Sequence, residues 1–194
     1  MLSPRPYQKR SIDAAVSWMK KNTESCVLDL SMSAGKSIIA AFIANEMHKI
    51  SGGKKVLVLC PNATLVSQNA EKYAMISDEY SIYSASISKS LRHSVVFATP
   101  MSFIGIVDQT NGEYCCVIVD EGDSITETVK KIIATLKEKN DLLRVCSMTG
   151  TPYRTGEGWI AEIDVDGSII EEASNPYYKK IVEHTNWDLL AGGE

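Results

Sequence analysis

Apolar and polar residues alternate along the chain with two different periods, which predicts helices and strands in turn. Apolar residues recur at helical spacing between Ile12 and Met19, and this repeat predicts a first helix from Arg5-Pro6 to about Asn22. The remaining pattern predicts strands at residues 26–30, 55–60, 80–85, 94–98, 113–119 and 143–148, with helices at 36–50, 61–76 and 124–139. This alternation predicts an α/β fold with a mostly parallel central sheet and helices on both faces.

The pattern changes after Arg154. Residues 159–163 alternate, Asp166-Gly167 favours a tight turn, and residues 168–171 return along the first arm, which predicts a β-hairpin. Asn175-Pro176 then marks the start of a final helix that runs to about His184. We therefore expect a main domain over residues 1–154 and an extension of hairpin and helix over residues 155–194.

Composition is that of a globular protein, with 44% apolar and 23% charged residues in a chain of 194. No run of about eighteen apolar residues occurs, so we expect no membrane span. The N-terminus lacks the apolar core of a signal peptide, which favours a cytoplasmic location. The formal net charge of −4 gives no overall attraction to nucleic acid, so binding to nucleic acid would need a local basic face or another domain.

The five cysteines fall within or at the end of predicted buried strands. They form no Cys-x-x-Cys pair and have no histidine nearby in sequence, which argues against a zinc site. We expect reduced thiols that pack as small apolar side chains, at positions 26, 60, 115, 116 and 146.

A candidate phosphate-binding loop follows the strand that begins at Cys26. The run ends in small residues and then Ala34-Gly35-Lys36-Ser37, which predicts a strand, a tight loop and a helix start. The amides of such a loop and the helix N-terminus bind polyphosphate, with Lys36 reaching the β- and γ-phosphates and the Ser37 hydroxyl holding Mg²⁺. The full P-loop pattern begins with Gly where this chain has Leu30, so the tetrapeptide alone fits an ordinary loop equally well.

An acidic pair follows the apolar strand at 113–119. Asp120 and Glu121 would lie at the edge of the sheet that carries the phosphate loop, where Asp120 can hold Mg²⁺ through water and Glu121 can orient the attacking water. The alternative is an acidic cluster that favours the N-terminus of the next helix. A buried strand that ends directly in two carboxylates favours the catalytic interpretation.

Three further polar segments have weaker signals. Residues 61–68 and 99–102 carry polar side chains at strand ends and could bind a nucleic-acid backbone, although helix caps would look the same. Thr149-Gly150-Thr151 suits a segment that senses the nucleotide state, or a plain turn. The amide of Gln8 can pair with adenine, although Gln8 also suits the start of a surface helix.

Taken together and in this order, these segments resemble the first RecA-like domain of superfamily 2 helicases and translocases. The resemblance covers nearly the whole chain. It is most specific to the RadD-type DNA-repair ATPases, because of Arg5-Pro6-Tyr7-Gln8 and of the stretch at residues 151–159, Thr-Pro-Tyr-Arg-Thr-Gly-Glu-Gly-Trp. The resemblance implies a RecA-like P-loop NTPase domain over residues 1–154 that uses ATP and Mg²⁺ and has DNA as its partner.

The resemblance also implies a role for each matching residue. Lys36, Asp120 and Glu121 would be catalytic, and Ser37 with Asp120 would hold the metal. The nucleotide would contact Arg5, Gln8, Met32, Ser33, Ala34, Gly35, Lys36 and Ser37. DNA would contact Pro61, Asn62, Thr64, Gln68, Thr99, Pro100 and Ser102, and hydrolysis would be coupled to movement through Asp123, Thr149, Gly150 and Thr151.

The chain departs from the family pattern at three places. Ser33 replaces a usual Gly, Gly122-Asp123 stands where Ala-His, Cys-His or Ala-Asp is common, and Gly150 replaces the commoner Ala. By the resemblance, the second departure falls at the position that contacts the coupling segment and the second domain.

Such motors use a second RecA-like domain, which supplies arginine fingers, so we expect this chain to be an N-terminal fragment of such a motor or a solitary first domain. The isolated chain is therefore expected to be a poor ATPase. Three alternatives stay open: the motor part of a restriction-type endonuclease, a degenerate nucleotide-binding module, and an unrelated P-loop kinase.

Overall fold

Helices and strands alternate along the chain as the pattern predicts. The computed structural model describes residues 2–31, 33–156 and 158–185. Its helices are α1 (Pro6–Lys21), α2 (Lys36–Ile50), α3 (Ala63–Ala74), α4 (Pro100–Phe103) and α5 (Glu127–Lys139), with short 3₁₀ turns at Val107–Gln109 and Gly122–Ser124. None of the helices in these ranges is long and apolar enough to span a bilayer.

The strands form one large sheet and one small one. The large sheet has nine strands in the order β10-β11-β1-β7-β6-β2-β5-β3-β4, and every pairing is parallel except β3 with β4. The small sheet pairs β8 with β9. The strands are β1 (Cys26–Asp29), β2 (Lys55–Leu59), β3 (Tyr80–Ser84), β4 (Ser88–Lys89), β5 (Val95–Ala98), β6 (Tyr114–Asp120), β7 (Arg144–Thr149), β8 (Tyr153–Arg154), β9 (Gly158–Trp159), β10 (Ala161–Ile163) and β11 (Tyr178–His184).

Helices cover both faces of the sheet, as predicted. Alternate residues of each central strand point to opposite faces, so Leu28 belongs to the core cluster that includes α1, α2 and α3, whereas Val27 belongs to the one that includes α4 and α5. All seven residues of β6 are buried, as expected for a strand that is covered on both sides. The five cysteines are reduced and buried in these layers.

The predicted C-terminal helix is wrong. Residues 178–184 instead form β11, which lies parallel between β10 and β1. Strand β11 begins with Tyr178 and contains two β-branched residues, Ile181 and Val182, a composition that favours a strand. The deciding factor is tertiary, because β11 supplies partners to a β1 edge that would otherwise be unpaired: Lys179 N donates to Ser25 O at 2.9 Å, and Thr185 N donates to Asp29 O at 2.9 Å.

The predicted hairpin forms only in part. Its turn closes at Asp164, where Gly167 N donates to Asp164 O at 3.0 Å, but the returning arm makes a single bridge at Ile169 and no strand. The first arm, β10, pairs with β11 instead. Strands from beyond residue 154 therefore complete the central sheet.

Candidate nucleotide-binding site

The polar loops that the sequence singles out meet at the carboxyl edge of the sheet. Strands β1, β7 and β6 lie side by side and parallel, with Asp29 opposite Thr149 and Met148 opposite Asp120. The phosphate loop and the acidic pair are therefore on one edge, as predicted, although β7 separates the two strands that carry them. This edge is where open α/β sheets bind their ligands.

The phosphate loop turns sharply into α2. Gly35 has φ of +73°, in the left-handed region, and a Cβ there would lie 2.6 Å from Gln8 Nε2. Ser33, which stands where the family usually has glycine, does not have a positive φ, because among the described residues Glu121 is the one non-glycine residue that does. Serine therefore occupies this position without backbone strain. Lys36 and Ser37 are the first residues of α2, at its positive end. Met32, also predicted to contact the nucleotide, lies outside the described residues.

Lys36 and Glu121 form the central ion pair of the site. Lys36 Nζ lies 2.7 Å from Glu121 Oε1, and the lysine side chain is only 13% exposed. The two residues are 85 positions apart in the chain, so the fold alone brings them together. A bound polyphosphate would compete with Glu121 for Lys36, which would leave the carboxylate available to a water molecule.

Asp120 lies behind this pair and is buried, with 5% exposure. Its Oδ2 accepts a hydrogen bond from Asn69 Nδ2 at 3.0 Å, and its Oδ1 accepts one from Glu121 N at 3.2 Å. Burial raises the pKa of Asp120, and the Asn69 hydrogen bond and the charge of Lys36 oppose that rise. Burial, with the nearby Asp120 charge, raises the pKa of Cys60 to about 12, so this thiol is neutral beside the carboxylate.

Asn69 was missed by the sequence reasoning. A signal was present, because Asn69 falls in the buried repeat Val66, Asn69, Ala70 and Tyr73 of α3, where an apolar residue is expected. A polar residue on a core-facing helix position indicates a buried partner. That Asp120 is the partner of Asn69 could not be predicted from the sequence, because the two residues are 51 positions apart.

Gly122 fits a tight space beneath the acidic pair. A Cβ at this position would lie 2.5 Å from Ser147 Cβ and 2.9 Å from Tyr178 Oη, and the Gly122 carbonyl accepts a hydrogen bond from Tyr178 Oη at 2.9 Å. Tyr178 comes from β11, so the last strand also supports the acidic loop. This packing accounts for glycine where the family commonly has Ala or Cys.

The predicted coupling residues are in contact. Thr149 Oγ1 donates to Asp123 Oδ1 at 2.9 Å and accepts from Thr151 N at 3.0 Å. Arg154 Nε donates to the Asp123 carbonyl. The acidic loop and the Thr149-Gly150-Thr151 segment are thus joined directly, even though the chain has Asp123 where many relatives have His.

Gln8 contacts the phosphate loop rather than lying on the surface. It is 3% exposed, its Nε2 donates to Ala34 O at 3.0 Å, and its Oε1 accepts from Arg5 N at 2.9 Å. The surface-helix alternative is therefore wrong for Gln8. One Nε2 hydrogen is left for a ligand, and adenine recognition by Gln8 and Arg5 stays a prediction.

The two segments predicted to contact nucleic acid flank a cavity of about 280 Å³. Pro61 lies on one side and Pro100 with Met101 on the other, and Asp120 and Glu121 form part of the lining. Asn62 caps α3 through Leu65 N at 3.0 Å, the structural alternative that the sequence left open. Ser102 Oγ accepts from Ala85 N at 3.0 Å, which ties the second segment to the end of β3 and is not a helix cap. In the first segment, the exposed residues are Pro61, Asn62, Thr64 and Gln68. In the second segment, the predicted contact residues are half-buried: Thr99, Pro100 and Ser102.

A second charged cluster lies at the base of the phosphate loop. His184 Nδ1 is 2.8 Å from Asp29 Oδ2, and His184 Nε2 is 2.7 Å from Asp164 Oδ1. These hydrogen bonds, that to Asp29 first, raise the pKa of His184 to about 9 against the opposing effect of its partial burial. The sequence did not indicate this cluster, because His184 was assigned to a helix.

Solved structures of motor proteins share this fold. The UvsW helicase of bacteriophage T4 superimposes with a TM-score of 0.68 at 18% identity, over 94% of this chain and 60% of its own. The Hef helicase domain of Pyrococcus furiosus gives a TM-score of 0.66 at 23% identity, and the match covers 79% of this chain and 34% of the Hef chain. The SWI2/SNF2 ATPase core of Sulfolobus solfataricus, solved with double-stranded DNA, gives a TM-score of 0.60 at 19% identity, and the match covers 78% of this chain and 32% of that chain.

The chain spans about 60% or less of the length of these structures, and the fold that it shares with them is RecA-like. A search of curated protein sequences gives no match. A family model, described as the res subunit of Type III restriction enzymes, matches residues 1–154. That range contains the phosphate loop, the acidic pair and the coupling segment, and the chain therefore belongs to the ResIII family.

Proposed function

We propose that this chain is the ATP-binding first motor domain of a superfamily 2 translocase or helicase that acts on DNA. The observation that carries the proposal is the 2.7 Å contact between Lys36 and Glu121, with the buried Asp120 directly behind it. A cation at a helix N-terminus faces two carboxylates there, which is the donor set that phosphoryl transfer through Mg²⁺ requires.

Each predicted residue then has a role in the proposed reaction. Lys36 neutralises charge on the β- and γ-phosphates, Ser37 and Asp120 hold Mg²⁺, and Glu121 accepts a proton from the attacking water. Mg²⁺ itself stabilises charge on the transferred phosphoryl group. Asp123 follows Glu121 by two residues and accepts a hydrogen bond from Thr149, so a change in the acidic loop would reach β7 and the residues that follow it.

DNA as the partner is proposed on two grounds. The segments at 61–68 and 99–102 border the same edge of the sheet as the nucleotide site. The SWI2/SNF2 core that shares this fold was solved with double-stranded DNA. A RadD-type role in DNA repair or recombination is proposed from the Arg5-Pro6-Tyr7-Gln8 start and the stretch at residues 151–159, and a cytoplasmic location agrees with five reduced cysteines.

A second RecA-like domain in the full-length protein would complete the site. Arginine fingers contribute about 10³–10⁵ in rate where GTPases use them, so the 194-residue chain alone should bind nucleotide but turn it over slowly. The motor part of a restriction-type endonuclease is the second candidate, and the description of the matching family favours it. A nuclease domain in the full-length protein would distinguish that candidate from a repair translocase.

The test is ATP hydrolysis by the full-length protein with and without single-stranded and duplex DNA. Lys36→Ala should abolish turnover. Lys130→Ala is the matched control, because it removes a surface lysine that also lies 2.7 Å from a glutamate, Glu127, and it should leave turnover unchanged. Unchanged hydrolysis in Lys36→Ala would show that the phosphate loop is misassigned, and no hydrolysis by the wild type with any DNA would favour a nucleotide-binding module without catalysis.

A further inference from the structure

Asn69 is a fully buried polar residue whose hydrogen bonding is incomplete. Its Nδ2 donates to Asp120 Oδ2 at 3.0 Å and to Cys60 Sγ at 3.2 Å. Its Oδ1 has no hydrogen-bond partner among residues 2–31, 33–156 and 158–185. The amide orientation follows from the acceptors, since only the nitrogen end can face a carboxylate. A buried oxygen without a partner is destabilising, so core packing does not explain an asparagine at this position.

The hydrogen bond from Asn69 acts on the carboxylate that the proposed reaction assigns to Mg²⁺. Asp120 is buried, and Asn69 Nδ2 fixes the orientation of its carboxylate through Oδ2 at 3.0 Å. Without that donor, Asp120 would keep only the hydrogen bond from the amide of Glu121 to Oδ1. A rotated carboxylate binds Mg²⁺ or its water poorly, because Mg²⁺ prefers oxygen ligands in fixed geometry.

Asn69 also belongs to the helix that carries part of the predicted DNA contact. Thr64 and Gln68 are exposed on α3, whereas Asn69, the next residue, points to the opposite side and reaches Asp120. A small movement of α3 on binding DNA would therefore change the distance between the Asn69 amide and the metal-binding carboxylate.

We propose that Asn69 is a positioning residue, which holds the Asp120 carboxylate in place for Mg²⁺ and links the DNA-binding side of α3 to the metal site. This inference rests on the proposed function, because it needs Asp120 to serve Mg²⁺. It predicts a specific defect: loss of metal-dependent nucleotide binding without loss of fold.

The test measures ADP binding to the 194-residue chain by calorimetry, once with Mg²⁺ and once with EDTA. Asn69→Leu keeps the volume and removes the donor together with the unpaired oxygen. Mutation of hydrogen-bond partners of metal-binding residues typically costs about 10- to 100-fold in metal affinity, and we expect a loss in that range with Mg²⁺ but none with EDTA. The thermal midpoint should stay close to that of the wild type, because removal of the buried unpaired Asn69 oxygen offsets the hydrogen bond that Asp120 Oδ2 loses. Asn45→Leu, at a buried asparagine of α2, is the control and should leave the Mg²⁺ dependence as in the wild type.

A second measurement addresses the link to α3. In the full-length protein, Asn69→Leu should reduce the stimulation of ATP hydrolysis by DNA and raise the Mg²⁺ concentration needed for half-maximal hydrolysis. Wild-type Mg²⁺ dependence in Asn69→Leu, or an equal loss with Mg²⁺ and EDTA, would overturn the inference. If the wild-type chain itself shows no Mg²⁺-dependent ADP binding, the proposed function fails and this inference fails with it.

Discussion

His184 ties the last strand of the sheet to the base of the phosphate loop, and its titration should change the stability of the fold. The imidazole lies between Asp29 and Asp164, at 2.8 Å and 2.7 Å, so both ring nitrogens have a carboxylate partner. These bonds raise the pKa of His184 from 6.5 to about 9. Because the pKa is higher in the folded state than in the unfolded chain, protonation of His184 stabilises the folded state.

The structure sets the size of this effect. Each pH unit between the folded and unfolded pKa corresponds to about 1.4 kcal/mol, so a rise from 6.5 to about 9 gives a ceiling of about 3 kcal/mol. The side chain is 27% exposed, and solvent screening reduces the expected value to about 2 kcal/mol. This stabilisation is fully present below pH 6.5 and is lost as the pH rises through about 9. For a chain of this size, a loss of about 2 kcal/mol lowers the melting temperature by roughly 4–8 °C.

The assay is urea unfolding followed by circular dichroism at intervals between about pH 6 and pH 10. The quantity of interest is the free energy of unfolding of the wild type minus that of His184→Asn, which should fall by about 2 kcal/mol across this range. His93→Asn is the control, because the described residues give its side chain no ion pair, and its difference from the wild type should stay constant with pH. A difference for His184→Asn that does not vary with pH would refute the reasoning.

Three further predictions concern the loops at the site. Gly122→Ala should destabilise the fold by about 1–3 kcal/mol, because the new Cβ would lie 2.5 Å from Ser147 Cβ. Gly105→Ala is the control, since the nearest atom to its new Cβ is a carbonyl oxygen at 3.6 Å. Equal urea midpoints for the two variants would contradict this prediction. Gly35→Ala should weaken ADP binding more than Gly52→Ala. Both glycines have φ near +70°, but only at Gly35 would the new Cβ meet a neighbour, Gln8 Nε2 at 2.6 Å. Equal ADP affinities of the two variants in calorimetry would argue against a role for this contact. Tyr178→Phe removes the donor to the Gly122 carbonyl and should cost about 0.5–1.5 kcal/mol in urea unfolding, and an unchanged midpoint would show that this bond does not support the acidic loop.

The sequence determined the local structure of the central strands and the helices between them. The apolar run at 114–119 needs burial on both faces, and the helical repeat between Ile12 and Met19 needs a core on one side, so each segment has one favourable conformation. Parallel strands also require that loops at their carboxyl ends share an edge, so the meeting of the phosphate loop and the acidic pair could be predicted before any coordinates.

Only the tertiary structure decided what depends on a distant partner. Residues 178–184 can form a helix or a strand locally, and they form β11 because the open edge of β1 offers hydrogen bonds that a helix could not supply. Asn69 with Asp120, Gly122 with Tyr178, and His184 with Asp29 are pairs of residues far apart in the chain. Their contacts arise from strand order and packing against the sheet, and the periodicity of a single segment contains no information about which residue lies across from it.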